Sequence, residues 1–109
     1  MKSTFNLKNS KNEKPTLIYL KAYFKNEGKR FVYSTGELIY PSEWDFKNRQ
    51  PNNLTGRNAQ ANNHRTIKRQ LDRYSNFFIT VVNLYKNSNQ EITIDKVREE
   101  FDREFKKSI

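Results

Sequence analysis

An α+β domain is what the sequence predicts: a small three- or four-stranded antiparallel sheet packed against one long helix, with a second short helix after it. Three observations predict it. Between Thr16 and Thr35 apolar residues recur with period two on both sides of Asn26-Glu27-Gly28-Lys29, a run with turn chemistry. From about Asn58 the apolar period becomes three to four residues over several turns. Asn87-Ser88-Asn89 then interrupts it before a second segment of the same period.

The first strand is expected around Thr4–Lys8, with Phe5 and Leu7 on one side, followed by the polar loop Asn9–Lys14 that ends at Pro15. In the next strand, alternation separates Ile18, Leu20, Ala22 and Phe24, which read as core, from Leu17, Tyr19, Lys21 and Tyr23. Taking Glu27-Gly28 as a two-residue turn pairs Phe24 with Phe31, Ala22 with Tyr33, Leu20 with Thr35, Tyr23 with Val32, Lys21 with Ser34 and Lys25 with Arg30. One face is then apolar, and the other carries tyrosines and cations.

After Gly36 a last short strand is expected at Leu38–Tyr40, and Pro41-Ser42-Glu43-Trp44 reads as one helical turn that delivers Trp44 to the core. Residues 45–57 read as a polar loop. Ile67, Leu71, Tyr74, Phe78, Val81 and Tyr85 form the stripe of the long helix. Thr93 is the expected N-cap of the second helix, Asp95 lies in its first turn, and Ile94, Val97, Phe101 and Phe105 form its stripe.

Composition bounds the function. A chain of 109 residues suits one domain or one domain with a helical appendage. Only 34% of it is hydrophobic, but eight Phe and six Tyr bury much area per residue. The absence of Cys excludes disulfides and thiolate metal sites and points to a reducing compartment, so the expected location is cytoplasmic. Met1–Lys8 has no apolar core of a signal peptide, and the cluster from Phe77 to Val82 is far short of the ~20 residues that span a bilayer. The net charge of +9 suggests a polyanionic partner. Residues 1–57 hold 11 basic against 5 acidic side chains and residues 58–90 hold 5 against 1, whereas residues 91–109 hold 5 against 6. The positive charge therefore belongs to the first two thirds.

Catalytic chemistry is poorly supplied. One His, no Cys, no Gly-rich phosphate loop and no nucleophile–base arrangement predict a non-catalytic chain with no cofactor, no metal and no small-molecule substrate. His64, beside Arg65 at the start of a helix, reads as a surface residue. Glu99, Glu100, Asp102 and Glu104 interleave with Arg98 and Arg103 in the pattern of a solvated helix face.

The informative group is the open hairpin face, with Tyr19, Lys21, Tyr23, Lys25 and Arg30 side by side and Lys29 at the turn. Cations suit phosphates and guanine edges, flat rings pack on sugars and thymine methyls, and β-ribbons enter the major groove. Lys47 and Arg49, in the following loop, complete the candidate DNA-binding set. The same pattern also serves to protect an exposed strand from edge pairing. Arg65, Arg69 and Arg73 form a helix stripe that could follow a phosphate backbone or simply be solvated.

Pro15-Thr16-Leu17-Ile18-Tyr19-Leu20-Lys21, Gly28-Lys29-Arg30, Ser34-Thr35-Gly36 and Pro41-Ser42-Glu43-Trp44-Asp45, in this order and followed by a long helix, resemble the amino-terminal arm DNA-binding domain of phage-type tyrosine recombinases, the site-specific integrases of bacterial mobile elements. Ile92-Thr93-Ile94-Asp95-Lys96-Val97 is similar to the family's start of a second helix. The resemblance implies a sheet that binds the major groove of arm-type sites in support of integration and recombination. It also implies an arm-binding domain over residues 1–90, and a helix at 91–109 leading toward a core-binding and a catalytic domain beyond this chain. The family's catalytic residues belong to that later domain, and none is carried over. Glu37 departs from the pattern, which often has an aliphatic residue after the glycine.

Two other functions stay open on the residues. Tyr19 and Tyr23 could serve as stacking platforms for RNA or single-stranded nucleic acid. The acidic second helix could contact other integrase subunits.

Overall fold

The computed structural model describes residues 1–105. Strands β1 (Ser3–Leu7), β2 (Thr16–Phe24) and β3 (Lys29–Ile39) form an antiparallel sheet in the order β1-β2-β3. A 3-10 turn at Pro41–Glu43 leads into a two-stranded ribbon, β4 (Trp44–Asp45) and β5 (Gln50–Pro51). Helices α1 (Ala59–Asn87) and α2 (Ile94–Phe105) follow. The expected α+β architecture is present, with three strands in the main sheet. Residues 106–109, including Lys106 and Lys107 of the expected terminal helix, lie outside the described residues.

The hairpin sorts its faces as the alternation requires. Ile18, Leu20, Ala22, Phe24, Phe31 and Tyr33 are all buried, whereas Tyr23 and Arg30 are exposed. Its register differs from the expected one: Ala22 pairs with Phe31, Leu20 with Tyr33, Tyr23 with Arg30 and Lys21 with Val32. The connection is a wider turn, residues 25–28, closed by Glu27 N–H to the Phe24 carbonyl at 3.1 Å and Gly28 N–H to the Lys25 carbonyl at 3.3 Å, with Gly28 at φ 64°. The register moves by two residues, one full side-chain period, so every residue keeps its face. Lys25 lies in the turn and does not oppose Arg30.

A second difference lies at Gly36. No separate strand forms at Leu38–Tyr40. Instead β3 runs on to Ile39 through a bulge in which Ile18 faces the segment 35–37, and pairing resumes with Leu17 opposite Leu38. Gly36 takes φ 76°, a left-handed conformation that costs a residue with Cβ. Thr35 stabilises the distortion: its hydroxyl donates to the Ile18 carbonyl at 2.8 Å and accepts from Glu37 N–H at 3.2 Å.

The helices cover the apolar face. Asn58 caps α1, its Oδ1 accepting from Ala61 N–H at 2.9 Å, and Ser88 ends it. Thr93 caps α2 through Lys96 N–H at 3.2 Å. The expected stripes face inward. Phe78 and Val81 of α1 and Val97 and Phe101 of α2 share one cluster with Leu20, Ala22, Phe24, Phe31 and Tyr33. A second cluster joins Ile18, Ile39, Trp44, Ile67 and Leu71. Phe101 stands edge-on to Phe31 at 5.3 Å and to Tyr33 at 5.1 Å, so α2 is held by ring packing worth about 0.5–1.5 kcal/mol per pair beyond area burial.

Residues 45–57 are more ordered than the expected loop. Asp45 Oδ1 accepts the N–H groups of Lys47 and Asn48, and its Oδ2 accepts from Asn48 Nδ2 at 2.8 Å, folding the β4–β5 turn. The Asn48 side-chain bond, followed by the backbone bonds, holds the Asp45 carboxyl below the usual carboxylate range. His64 is wholly buried and not at the surface. Its Nδ1 donates to the Asn52 carbonyl at 2.6 Å, and its Nε2 lies 3.1 Å from Glu43 Oε1, so the imidazole fastens α1 to the segment around β5 and to the 3-10 turn. No helix among the described residues is long and apolar enough to cross a membrane.

Candidate nucleic-acid interface

Because the helices seal one face of the sheet, polar groups that can meet a ligand gather on the other. Strand alternation brings Thr4 and Asn6 of β1, Tyr19, Lys21 and Tyr23 of β2, and Arg30, Val32 and Ser34 of β3 to that outer face. A shallow depression there is lined by Lys2, Thr4, Asn6, Lys21, Tyr23 and Arg30. Tyr23 is 55% exposed, and Arg30 stands directly across from it. Tyr19 and Lys21 are half-buried by their neighbours on the face.

The remaining candidates sit around this centre. Lys25 is exposed in the β2–β3 turn. Lys29, also exposed, opens β3 opposite Phe24 and shares the parity of Phe31, so it stands at the end of the sheet and not in the row of Arg30. Lys47 and Arg49 project from the β4–β5 turn, both exposed. Besides the packing of Trp44 against Ile18 and Ile39, the ribbon is tied to the sheet by Arg49 Nη1, which donates to Asn6 Oδ1 at 2.5 Å.

Sequence reasoning missed Lys2, Thr4 and Asn6 as part of the face. The signal was present, since a first strand with Phe5 and Leu7 on the inner side places Thr4 and Asn6 on the outer one. The helical arginines are engaged elsewhere. Arg65 donates to the carbonyls of Leu54 at 2.9 Å and Gly56 at 2.7 Å, which ties the loop to α1. Arg69 donates to Thr66 Oγ1 and Arg73 to Gln70 Oε1, and the Arg73 guanidinium lies 5.6 Å from the Phe105 ring. Arg65 is thus committed to the loop, while Arg69 and Arg73 stay exposed on the same helix. On α2, Asp102 is not simply solvated, because its Oδ1 accepts from Tyr33 Oη at 2.8 Å. Burial, then this bond, pushes the Tyr33 phenol well above its ordinary range.

The geometry can accept an elongated polyanion along one face, with cations and a ring at the centre and further cations at the turns. Among the described residues no group of three or more His, Cys, Asp or Glu side chains is gathered to hold a metal ion. No curated protein and no solved structure matches the chain. The arm DNA-binding domain family, in contrast, matches over residues 5–98, from β1 into α2. On this match, which covers most of the 109 residues, the chain belongs to the arm DNA-binding domain family, non-catalytic DNA-binding domains of integrase-type proteins.

Proposed function

We propose that this chain is the amino-terminal arm-binding domain of a tyrosine recombinase carried by a bacterial mobile element, and that its outer sheet face enters the major groove of arm-type sites during integration and recombination. The observation that carries the reading is the asymmetry of the sheet: aromatic rings and two helices close one face, while Tyr19, Lys21, Tyr23 and Arg30 occupy the open one. Three strands spaced about 4.8 Å apart span about 10 Å, which suits a groove about 12 Å wide. In this reading Lys25 and Lys29 at one turn and Lys47 and Arg49 at the other meet phosphates, while Tyr23 and Arg30 meet base edges. Phosphate contacts set affinity and register, and base contacts set the sequence.

Residues 1–90 would form the DNA-binding unit, and residues 91–109 would lead toward a core-binding and a catalytic domain. The exposed Asp95, Glu99 and Glu104 of α2 interleave with the exposed Lys96, Arg98 and Arg103, a charged outer side that suits contact with another integrase subunit. The bacterial cytoplasm, where such DNA lies, is the compartment that goes with this role.

A nuclear magnetic resonance titration with duplex and with single-stranded DNA tests the reading. Amide shifts confined to β1–β3 and the two turns, saturating with duplex, are expected. Shifts that saturate only with single strands, centred on Tyr19 and Tyr23, would replace it with a stacking-platform role.

A further inference from the structure

Arg49 has a left-handed backbone, φ 57°, a conformation disfavoured for a residue with a side chain and found where surrounding contacts enforce it. Its N–H closes the β4–β5 turn on the Asp45 carbonyl at 2.8 Å. Its side chain then crosses to β1, where Nη1 donates to Asn6 Oδ1 at 2.5 Å. A guanidinium only donates, so the oxygen of the Asn6 amide must be the atom that faces it. The amide nitrogen points the other way and donates to Thr4 Oγ1 at 3.1 Å.

Asn6 opposes Tyr19, so this row lies on the outer face beside Lys21. Arg49 also borders the neighbouring groove between β1 and α1, which places its guanidinium at the β1 edge. Among the described residues it has no carboxylate partner, and one of its five N–H donors is used. Arg98, at the other edge of the sheet, is different: it donates to the Val32 carbonyl at 3.3 Å, lies 5.3 Å from the Phe31 ring centroid, and shares its helix with Asp95, Glu99 and Asp102.

We propose that Arg49 grips a phosphate of the DNA strand bordering the groove on the β1 side, and that Asn6 is the positioning residue that holds the guanidinium there. This rests on the sheet-face reading above. A sheet about 10 Å wide in a groove about 12 Å wide sets each outer strand against a phosphate wall. The unused donors of a planar fork fit two phosphate oxygens at once. Holding the side chain before binding reduces the entropy lost on association.

Contact with phosphate is independent of sequence, so a mixed-sequence duplex of about 20 base pairs suffices as the probe, titrated at several salt concentrations. Arg49→Ala should weaken binding about three- to tenfold and reduce the slope of log K against log salt by about 0.9. Arg49→Lys should keep the slope while losing part of the affinity, because the charge remains and the fork does not. Asn6→Ala should weaken binding about two- to threefold in the parent and not at all in the Arg49→Ala background, the mark of a residue that acts through another. Melting curves check the fold of each variant, and Asn6→Thr replaces Asn6→Ala if the latter loosens β1.

Lys25→Ala and Lys29→Ala, at the phosphate-facing turn, separate this proposal from the reading it rests on. If they weaken binding and Arg49→Ala leaves affinity and slope unchanged, the Arg49 grip is overturned and the sheet face stands. Equal losses from Asn6→Ala in both backgrounds would overturn the positioning role. If Lys25→Ala and Lys29→Ala have no effect, the sheet face itself is wrong and the proposal falls with it.

Discussion

Glu27 of the β2–β3 turn accepts the backbone N–H of Ile94 through Oε1 at 2.6 Å, so a carboxylate on the hairpin tip caps the first turn of α2. Asn26 adds to the clasp, its Nδ2 donating to the Ile92 carbonyl at 3.1 Å and to Glu91 Oε1 at 3.2 Å. The turn that carries Lys25 and Lys29 is thereby fixed to the helix that closes the core, and residues 65 or more apart in sequence stabilise one another.

Glu27→Ala should therefore destabilise the domain by about 1 kcal/mol, the usual worth of a helix cap, lowering the melting temperature by about 4–8 °C. Glu27→Gln keeps an acceptor and loses only the charge at the positive end of the helix dipole, so it should fall between. Duplex affinity, measured where both variants are folded, should not drop, because an anion has left a cationic turn. Unchanged melting in Glu27→Ala would show that Thr93 alone caps α2.

His64 gives a larger effect. Replacing it with Phe preserves bulk but leaves the Asn52 carbonyl without its donor, at about 1–3 kcal/mol for a buried unsatisfied group. His64→Ala adds a cavity and should cost about 2–5 kcal/mol. The Glu43 side chain is 28% exposed and its Oε2 accepts from Gln60, so water and Gln60 limit the cost on that side. Urea unfolding checks both variants, and a loss below about 0.5 kcal/mol for His64→Ala would show that the imidazole fastens nothing.

How these features escaped or yielded to sequence reading has physical causes. The faces of β2 and β3 were legible because alternation survives a register displacement of two residues, even though the turn was wider than expected. His64 was not legible, since its partners Asn52 and Glu43 come from short segments with no periodicity, and two-residue strands such as β4 and β5 offer no alternation to read. On the interface, residue types and the strand period identified Tyr19, Lys21, Tyr23 and Arg30 as neighbours. The Asn6–Arg49 contact spans 43 residues and joins a strand to a turn, a relationship that no local pattern encodes.

Glu37 links a departure from the family pattern to pH. Burial raises its carboxyl above the ordinary value. A raised folded-state value means that the native state prefers the protonated acid, so the penalty is absent at pH below the unfolded value and grows as pH rises through the folded one. Glu37→Gln should therefore be more stable than the parent at neutral pH, with the difference shrinking as pH falls through the carboxylate range. Glu37→Val, which restores an aliphatic side chain, should behave likewise. Thermal melts across that range test this, and a parent that gains stability relative to Glu37→Gln as pH rises would reverse the sign.

The reader of the duplex can be separated from the scaffold by five substitutions. Tyr23 and Arg30 form a cross-strand pair on the open face, and neither supports the buried cluster, so Tyr23→Ala and Arg30→Ala should remain folded. Each should cost about 1–3 kcal/mol on a selected arm-type duplex and much less on a scrambled one, as expected of base contacts. Lys25→Ala, by contrast, should weaken both duplexes alike and flatten the salt dependence by about one unit. Arg65→Ala should lower stability, because it removes a charged donor from the Leu54 and Gly56 carbonyls, yet bind normally at temperatures where it is folded. Arg69 is exposed and bonds only to Thr66 one turn away, so Arg69→Ala should change neither stability nor affinity appreciably. Should Tyr23→Ala and Arg30→Ala bind like the parent while folded Arg65→Ala and Arg69→Ala lose binding, α1 reads the DNA and the sheet face does not.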